Sequence, residues 1–301
     1  MLLQLLNTAL PVFTALFIGV ICRKKDVFSG QDIDALKKVA VDITLPFVLL
    51  KAFATADYSK GAMLIPFAVF LMCIAALLLG FLLKKAFKTD SALMPFLMTG
   101  FEAGMLGYGL FGLIFPGESN SAFAIIDLGQ VLFVFTLYKG LLMGEKKEVV
   151  REIILSPIIW GIAAGLILGI SGAYNALVPS GIAGLIGGTA DFLSAPTSCL
   201  ILITIGYNLE LKNVSWKKTS AYVVLRALVM GVMLIVMLAL NNPVFGGEIH
   251  KGALILMLIL PAPYVLPIFA DAENERADIA SALSVMTLLS LIIASVMSVM
   301  V

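Results

Sequence analysis

Charge is what this sequence has least of: Asp, Glu, Lys and Arg make up 13% of its 301 residues, while 61% are hydrophobic. A soluble domain carries about 25% charged and about 45–50% apolar residues. A chain with so little polar surface to show water belongs in a membrane. Neither sign dominates, and a net charge of +1 supplies no basic field for nucleic acid. Cysteine is almost missing too. Cys22, Cys73 and Cys199 form no C-x-x-C pair and no disulfide framework, so they read as small packing residues. The one histidine, His250, falls in a connection between apolar segments and reads as solvated. The chain has no P-loop, no H-E-x-x-H and no G-x-S-x-G, so the expectation is a non-enzyme with no cofactor and no metal. The opening MLLQLLNTAL lacks the basic stretch and the small-residue cleavage site of a signal peptide and reads as a retained span.

What is present is a series of apolar runs. A membrane core about 30 Å thick takes about 20 residues of helix. That rule predicts ten spans, at about 2–22, 34–56, 61–83, 91–115, 121–143, 152–170, 181–207, 217–240, 251–270 and 277–300. The connections carry the charge, and they carry it unevenly. Fifteen of the twenty Lys and Arg residues gather on one side, in RKKD (23–26), Lys37/Lys38, KKAFK (84–88), EKKEVVR (145–151), ELKNVSWKK (210–218) and Arg276. Only Lys51, Lys60 and Lys251 lie on the other, while Lys139 and Arg226 fall within spans. The positive-inside rule makes the basic side cytoplasmic and puts both termini outside a cell membrane.

The two halves echo one another. Pro11-x7-Gly19 in span one recurs as Pro157-x7-Gly165 in span six. An aspartate precedes a mid-span proline in span two (Asp42, Pro46) and again in span seven (Asp191, Pro196). Span nine is broken by prolines about 150 residues after the glycine-broken span four. Five spans is an odd number, so the second copy enters the membrane inverted. The expected fold is therefore an all-α membrane protein with ten transmembrane helices in two inverted five-helix repeats, 1–143 and 152–301. Inverted repeats with discontinuous helices are the architecture of secondary transporters, whose site lies near the midplane.

Span four, "MTGFEAGMLGYGLFGLIFPG" (98–117), holds six glycines and Glu102. Gly104, Gly107, Gly109 and Gly112 allow it to unwind and let other backbones approach. Non-helical backbone survives at membrane depth only where protein buries it or a cavity adjoins it. Pro261, Pro263 and Pro267 free carbonyls in span nine in the same way. Plain helix packing accounts for Gly161, Gly165 and Gly169 in span six. Ionisable groups within spans mark pathways or partners. Glu102 and Asp191 lie deepest and are candidates for ion or proton coupling, with Asp42 and Asp127 nearer the edges. Arg226 reads as a structural ion-pair partner, with Asp191 the first choice of acid, and Lys139 reaches for the interface. An intramembrane aspartyl protease is the enzyme alternative. Its Tyr-Asp and Gly-x-Gly-Asp motifs are missing, Gly188-Thr189-Ala190-Asp191 being the nearest approach.

The segments "ALKKVAVDITLPFVLL", "CLILITIGYNLEL", "LRALVM" and "LPAPYVLPIFADAENERADIASALSVMTLLS" together resemble the auxin efflux carrier family. That family includes bacterial permeases for malate and related anions and shares a fold plan with the bile-acid/sodium symporters. The resemblance spans the whole chain. It implies a scaffold domain (spans one, two, six and seven), a transport domain (spans three to five and eight to ten), and crossing broken helices four and nine. The substrate it implies is a small organic anion, such as a dicarboxylate or an auxin-like carboxylate, moved by an elevator-type mechanism in a homodimer, with a proton or sodium as coupling ion. A sodium-coupled symporter of the bile-acid type is the alternative. Carried onto this chain, the crossing comprises Glu102, Gly104, Gly107, Tyr108 and Gly109 from span four, Gln130 from span five, and Pro261, Pro263, Tyr264, Val265 and Pro267 from span nine. Glu102 stands where the family pattern has Asn, and Gly109 where it has Pro. On this reading Glu102 is protonated while the anion is bound.

Overall fold

The computed structural model describes residues 2–143, 150–151, 154–209, 215–269 and 273–300. No strand occurs among them, and helices follow one another along the chain. Five are long and apolar enough to cross a membrane: Lys60–Phe87, Ser121–Leu142, Ile182–Asn208, Trp216–Phe245 and Glu275–Met300. They correspond to the expected spans three, five, seven, eight and ten. Span one is the helix Leu2–Lys24, and span six is described from Pro157 to Ile170. The start of span six at 152–153, the end of span nine at 270, and much of the basic connections at 145–151 and 210–218 lie outside the described residues.

Spans two, four, seven and nine are irregular, each for a reason written in its sequence. Span two runs as Gly30–Lys38, a π-helical stretch Val39–Thr44, then Leu45–Ala54. Pro46 has no N–H to give the carbonyl of Asp42 and its ring would collide with it, and widening the helix by one residue relieves both problems. Span seven bends at Ser194–Thr197, where Pro196 makes the same demand. The two irregular stretches meet, with the Thr197 hydroxyl donating to Thr44 Oγ1 at 2.7 Å.

Span four stops altogether. After Met94–Leu97 the backbone leaves the helix through Met98–Glu102, with Gly100 at φ 68°, and resumes as a π-helical stretch Ala103–Gly107 and the helix Tyr108–Ile114. The break therefore sits upstream of the glycines expected to make it. Among Gly100, Gly104, Gly107, Gly109 and Gly112, Gly100 alone has the left-handed conformation that calls for glycine. Gly107 and Gly109 admit neighbours instead: a Cβ on Gly107 would lie 2.4 Å from the Phe123 ring, and one on Gly109 would lie 2.6 Å from Ser198 Oγ. Span nine is helical over Lys251–Ile259, turns extended at Leu260, and passes through Pro261 and Pro263 to the short 3-10 helix Leu266–Phe269. His250, expected to be solvated, caps this span: its Nδ1 accepts from Ala253 N–H and its ring packs on Phe111 and Phe115.

Packing joins the two halves reciprocally. Span one lies along the second part of span seven, and span six lies along the second part of span two. Both seams are glycine-lined. A Cβ on Gly206 would stand 2.0 Å from the Leu16 carbonyl oxygen, and Gly161 and Gly165 abut the carbonyls of Pro46 and Leu50. Gly19, half of the Pro-x7-Gly echo, faces span seven at Ile203; its counterpart Gly165 faces span two. Spans three, five, eight, nine and ten pack among themselves around the two breaks.

Candidate functional site

The broken stretches of spans four and nine cross in contact, since a Cβ on Gly100 would touch the Pro263 ring at 3.1 Å. Two groups bind the crossing together. Arg226, buried in span eight, donates through Nη1 to the Leu97 carbonyl (2.6 Å) and through Nη2 to the carbonyls of Gly100 (2.8 Å) and Leu260 (2.9 Å). Its guanidinium also lies 5.4 Å from the Phe101 ring centroid, a cation–π contact. The carboxylate partner expected for Arg226 is replaced by backbone. Breaking a helix leaves carbonyls without N–H partners, and a planar guanidinium with five donors can serve several at once.

Asp191, the acid first assigned to Arg226, is bound elsewhere. Lys51 Nζ reaches its two oxygens at 2.5 and 2.6 Å, and the pair is partly solvated, with side chains 38% and 60% exposed.

Glu102 is the second fastener. Its N–H donates to the Pro261 carbonyl (2.9 Å), and its Oε2 accepts from the Tyr264 N–H (2.6 Å). The N–H freed by the break of span nine therefore already holds a carboxylate, one belonging to the chain itself. Gln130 Nε2 donates to the Phe101 carbonyl at 2.5 Å. Asp127, which the sequence placed near an edge, is 2% exposed and accepts from the Tyr108 hydroxyl through Oδ2 at 3.0 Å, while its Oδ1 has no hydrogen-bond partner among the described residues.

A cavity of about 260 Å³ lies against the crossing and is lined by Glu102, Gly104, Asp127, Gln130, Pro263, Tyr264 and Val265, together with Lys37 and Lys139. Lys139 also lies over the Phe135 ring, 4.7 Å from its centroid. A larger cavity, about 700 Å³, opens at the Lys51 end of span two and reaches Gly104, Met105, Tyr108 and Gly109. A third, about 280 Å³, opens at the Lys37 end and reaches Met105, Tyr264 and Pro267. Lys37 and Lys51 are about 20 Å apart along a helix rising 1.5 Å per residue, so the second and third cavities approach from opposite ends. Met105 lines all three.

Most of the residues singled out in spans four, five and nine thus meet around one crossing. Gly107 and Pro261 are buried within it. Asp191 lines only the Lys51-end cavity among these three, and Asp42 sits in the π-helical stretch of span two without lining the crossing cavity. Sequence reasoning passed over Met105, Lys37 and Lys51. Nothing in the sequence marks Met105, while Lys37 and Lys51 read as charges at the two ends of a span.

No protein-family model matches the chain. It is similar to a protein of Methanothermobacter thermautotrophicus (strain Delta H) described as an uncharacterized transporter, with 26% identity over 216 residues covering 68% of each chain. Similarity to a transporter over two thirds of the sequence, together with five helices of membrane-crossing length and composition, describes a membrane protein of transporter type.

Proposed function

We propose that the chain is a secondary transporter of a small organic anion, with its site at the crossing of spans four and nine. One observation carries the reading: the backbone N–H of Tyr264, exposed by the proline-made break, is bound to a carboxylate at 2.6 Å. A substrate carboxylate needs what Glu102 already finds there, an unpaired N–H at a helix break beside a cavity. Glu102 is then an internal competitor. It occupies the site when ionised and yields it when neutralised, which makes a proton the natural companion of the anion. Lys37, on the wall of the same cavity, adds the one kind of charge that favours an incoming carboxylate.

The reciprocal seams, span one on seven and span six on two, support an inverted-repeat scaffold. The crossing, fastened by Arg226 and Glu102, supports a body that moves as a unit against that scaffold in the manner of an elevator. Cavities from both ends that have Met105 in their lining fit the two routes alternating access requires. The resemblance to the auxin efflux carrier family points to dicarboxylates and related acids as first candidates.

The test is Glu102→Gln, which keeps the shape of the neutral acid. Binding of organic acids to purified protein, followed by thermal shift across pH, should persist in the variant and lose its pH dependence. Loss of binding at every pH, with cationic ligands stabilising the parent protein instead, would overturn the organic-anion assignment.

A further inference from the structure

Asp127 lies on the crossing cavity in an unusual state of satisfaction. Oδ2 accepts from Tyr108, and Oδ1 is buried with no hydrogen-bond partner among the described residues. An ionised carboxylate buried this way would leave a charged oxygen without a donor, far costlier than leaving a neutral one. Among the described residues, none of the groups facing it donates to Oδ1. From span four come Glu102, a like charge in the same cavity, and the Tyr108 hydroxyl; from span three comes Cys73; from span nine comes Tyr264; span two and span five contribute Lys37 and Lys139 on the cavity wall. Arg226 of span eight is committed to carbonyls. Two carboxylates on one buried cavity resist ionising together, and Glu102 has the better claim to charge because Tyr264 N–H donates to it.

The connections at Asp127 run in two directions. Tyr108, which donates to Oδ2, also lines the cavity at the Lys51 end, whereas Asp127 and Glu102 line the crossing cavity. We propose that Asp127 is a neutral carboxylic acid that relays protons from the Lys51-end cavity to Glu102, with Tyr108 as the link to that cavity. In the relay the Oδ1–H of Asp127, sealed at rest, turns into the cavity that the residue lines; that O–H bond breaks and an O–H bond forms on Glu102, through a water in a cavity roomy enough to hold one. Oδ2 takes the Tyr108 hydroxyl proton, and Tyr108 recovers one from water in the Lys51-end cavity. The net change is one proton moved from that water to Glu102, with Asp127 neutral before and after. The inference rests on the reading of Glu102 as the group that substrate displaces, and it names the route by which that group is neutralised.

The experiment is infrared spectroscopy of purified, substrate-free protein, combined with the rate at which Glu102 takes up a proton after a pH jump. At neutral pH the parent should show a carboxylic-acid stretching band that shifts in deuterated water, vanishes in Asp127→Asn and remains in Glu102→Gln. Tyr108→Phe, which keeps the ring packed on Phe123, should retain the band and slow proton uptake by Glu102 at least about tenfold. No such band in the parent, its survival in Asp127→Asn, or its loss on adding sodium would each overturn the proposal, the last by showing a carboxylate that holds a cation. An unchanged uptake rate in Tyr108→Phe would overturn the route, and this variant serves alone should Asp127→Asn fail to fold. Failure of every organic acid to bind would sink the substrate reading and leave the Asp127 band in place, so the two failures are told apart.

Discussion

Replacing Arg226 by Met removes the guanidinium and keeps an unbranched side chain of similar reach. Three carbonyls, on Leu97, Gly100 and Leu260, lose donors that stood 2.6 to 2.9 Å away. A buried acceptor left unpaired costs about 1–3 kcal/mol, giving a gross loss of about 3–9 kcal/mol. Against this, a charge no longer has to be held out of water, and several kcal/mol return. The expected net loss is about 2–4 kcal/mol, among the larger effects of single substitutions. Heating detergent-solubilised protein and following the folded fraction by size exclusion should show an apparent melting temperature about 5–10 °C lower. Arg226→Lys should fall between, since an ammonium has donors but not the planar fork that spans three carbonyls. Asp191→Asn should add to Arg226→Met without coupling, because Asp191 is held by Lys51 and the two sites share no partner. If Arg226→Met melts with the parent and only uptake is lost, the arginine is a substrate ligand and the account of it as a fastener is wrong.

Gly206→Val would drive a branched side chain into the Leu16 carbonyl oxygen, 2.0 Å from the position of its Cβ. It should cost at least about 1–3 kcal/mol of stability and sharply lower folded yield, whereas Gly188→Val, where no described residue lies within 4 Å, should leave yield unchanged; equal yields would deny the close seam of spans one and seven. In intact cells, a membrane-impermeant thiol reagent should label a cysteine placed at Ser180 and spare one placed at Lys218; the reverse pattern would overturn both the charge-based orientation and the inverted-repeat reading.

The apolar runs and prolines made much of the architecture legible. Pro46, Pro196, Pro261 and Pro263 each mark a place where a backbone donor is missing, and the helix widens at the first and is interrupted at the others. Gly100 was harder to choose. Span four has glycines enough to break at several places, and the choice depends on Pro263 arriving opposite. The partners of Arg226 could not be read at all, because carbonyls freed by a break are not residues and have no letter. A lone arginine among buried acids suggested an acid, while the distance between Asp191 and Arg226 was set by folding. Asp127 was misjudged for a similar reason. Its place along span five put it near an edge, but the packing of Tyr108 and Phe123 around it made it one of the most deeply buried polar residues.

Met105 has an electrical consequence. In a membrane, water filling the cavities at the two ends of span two would conduct the potential of each side to the same residue. Much of the transmembrane voltage would then fall across the short stretch about Met105 rather than across the full hydrocarbon core of about 30 Å. A unit charge crossing that layer exchanges about 2.3 kcal/mol with each 100 mV of potential, however short its path. Any step that moves net charge past Met105 would then cross much of the field within a short displacement and respond to voltage even where the moving parts travel little.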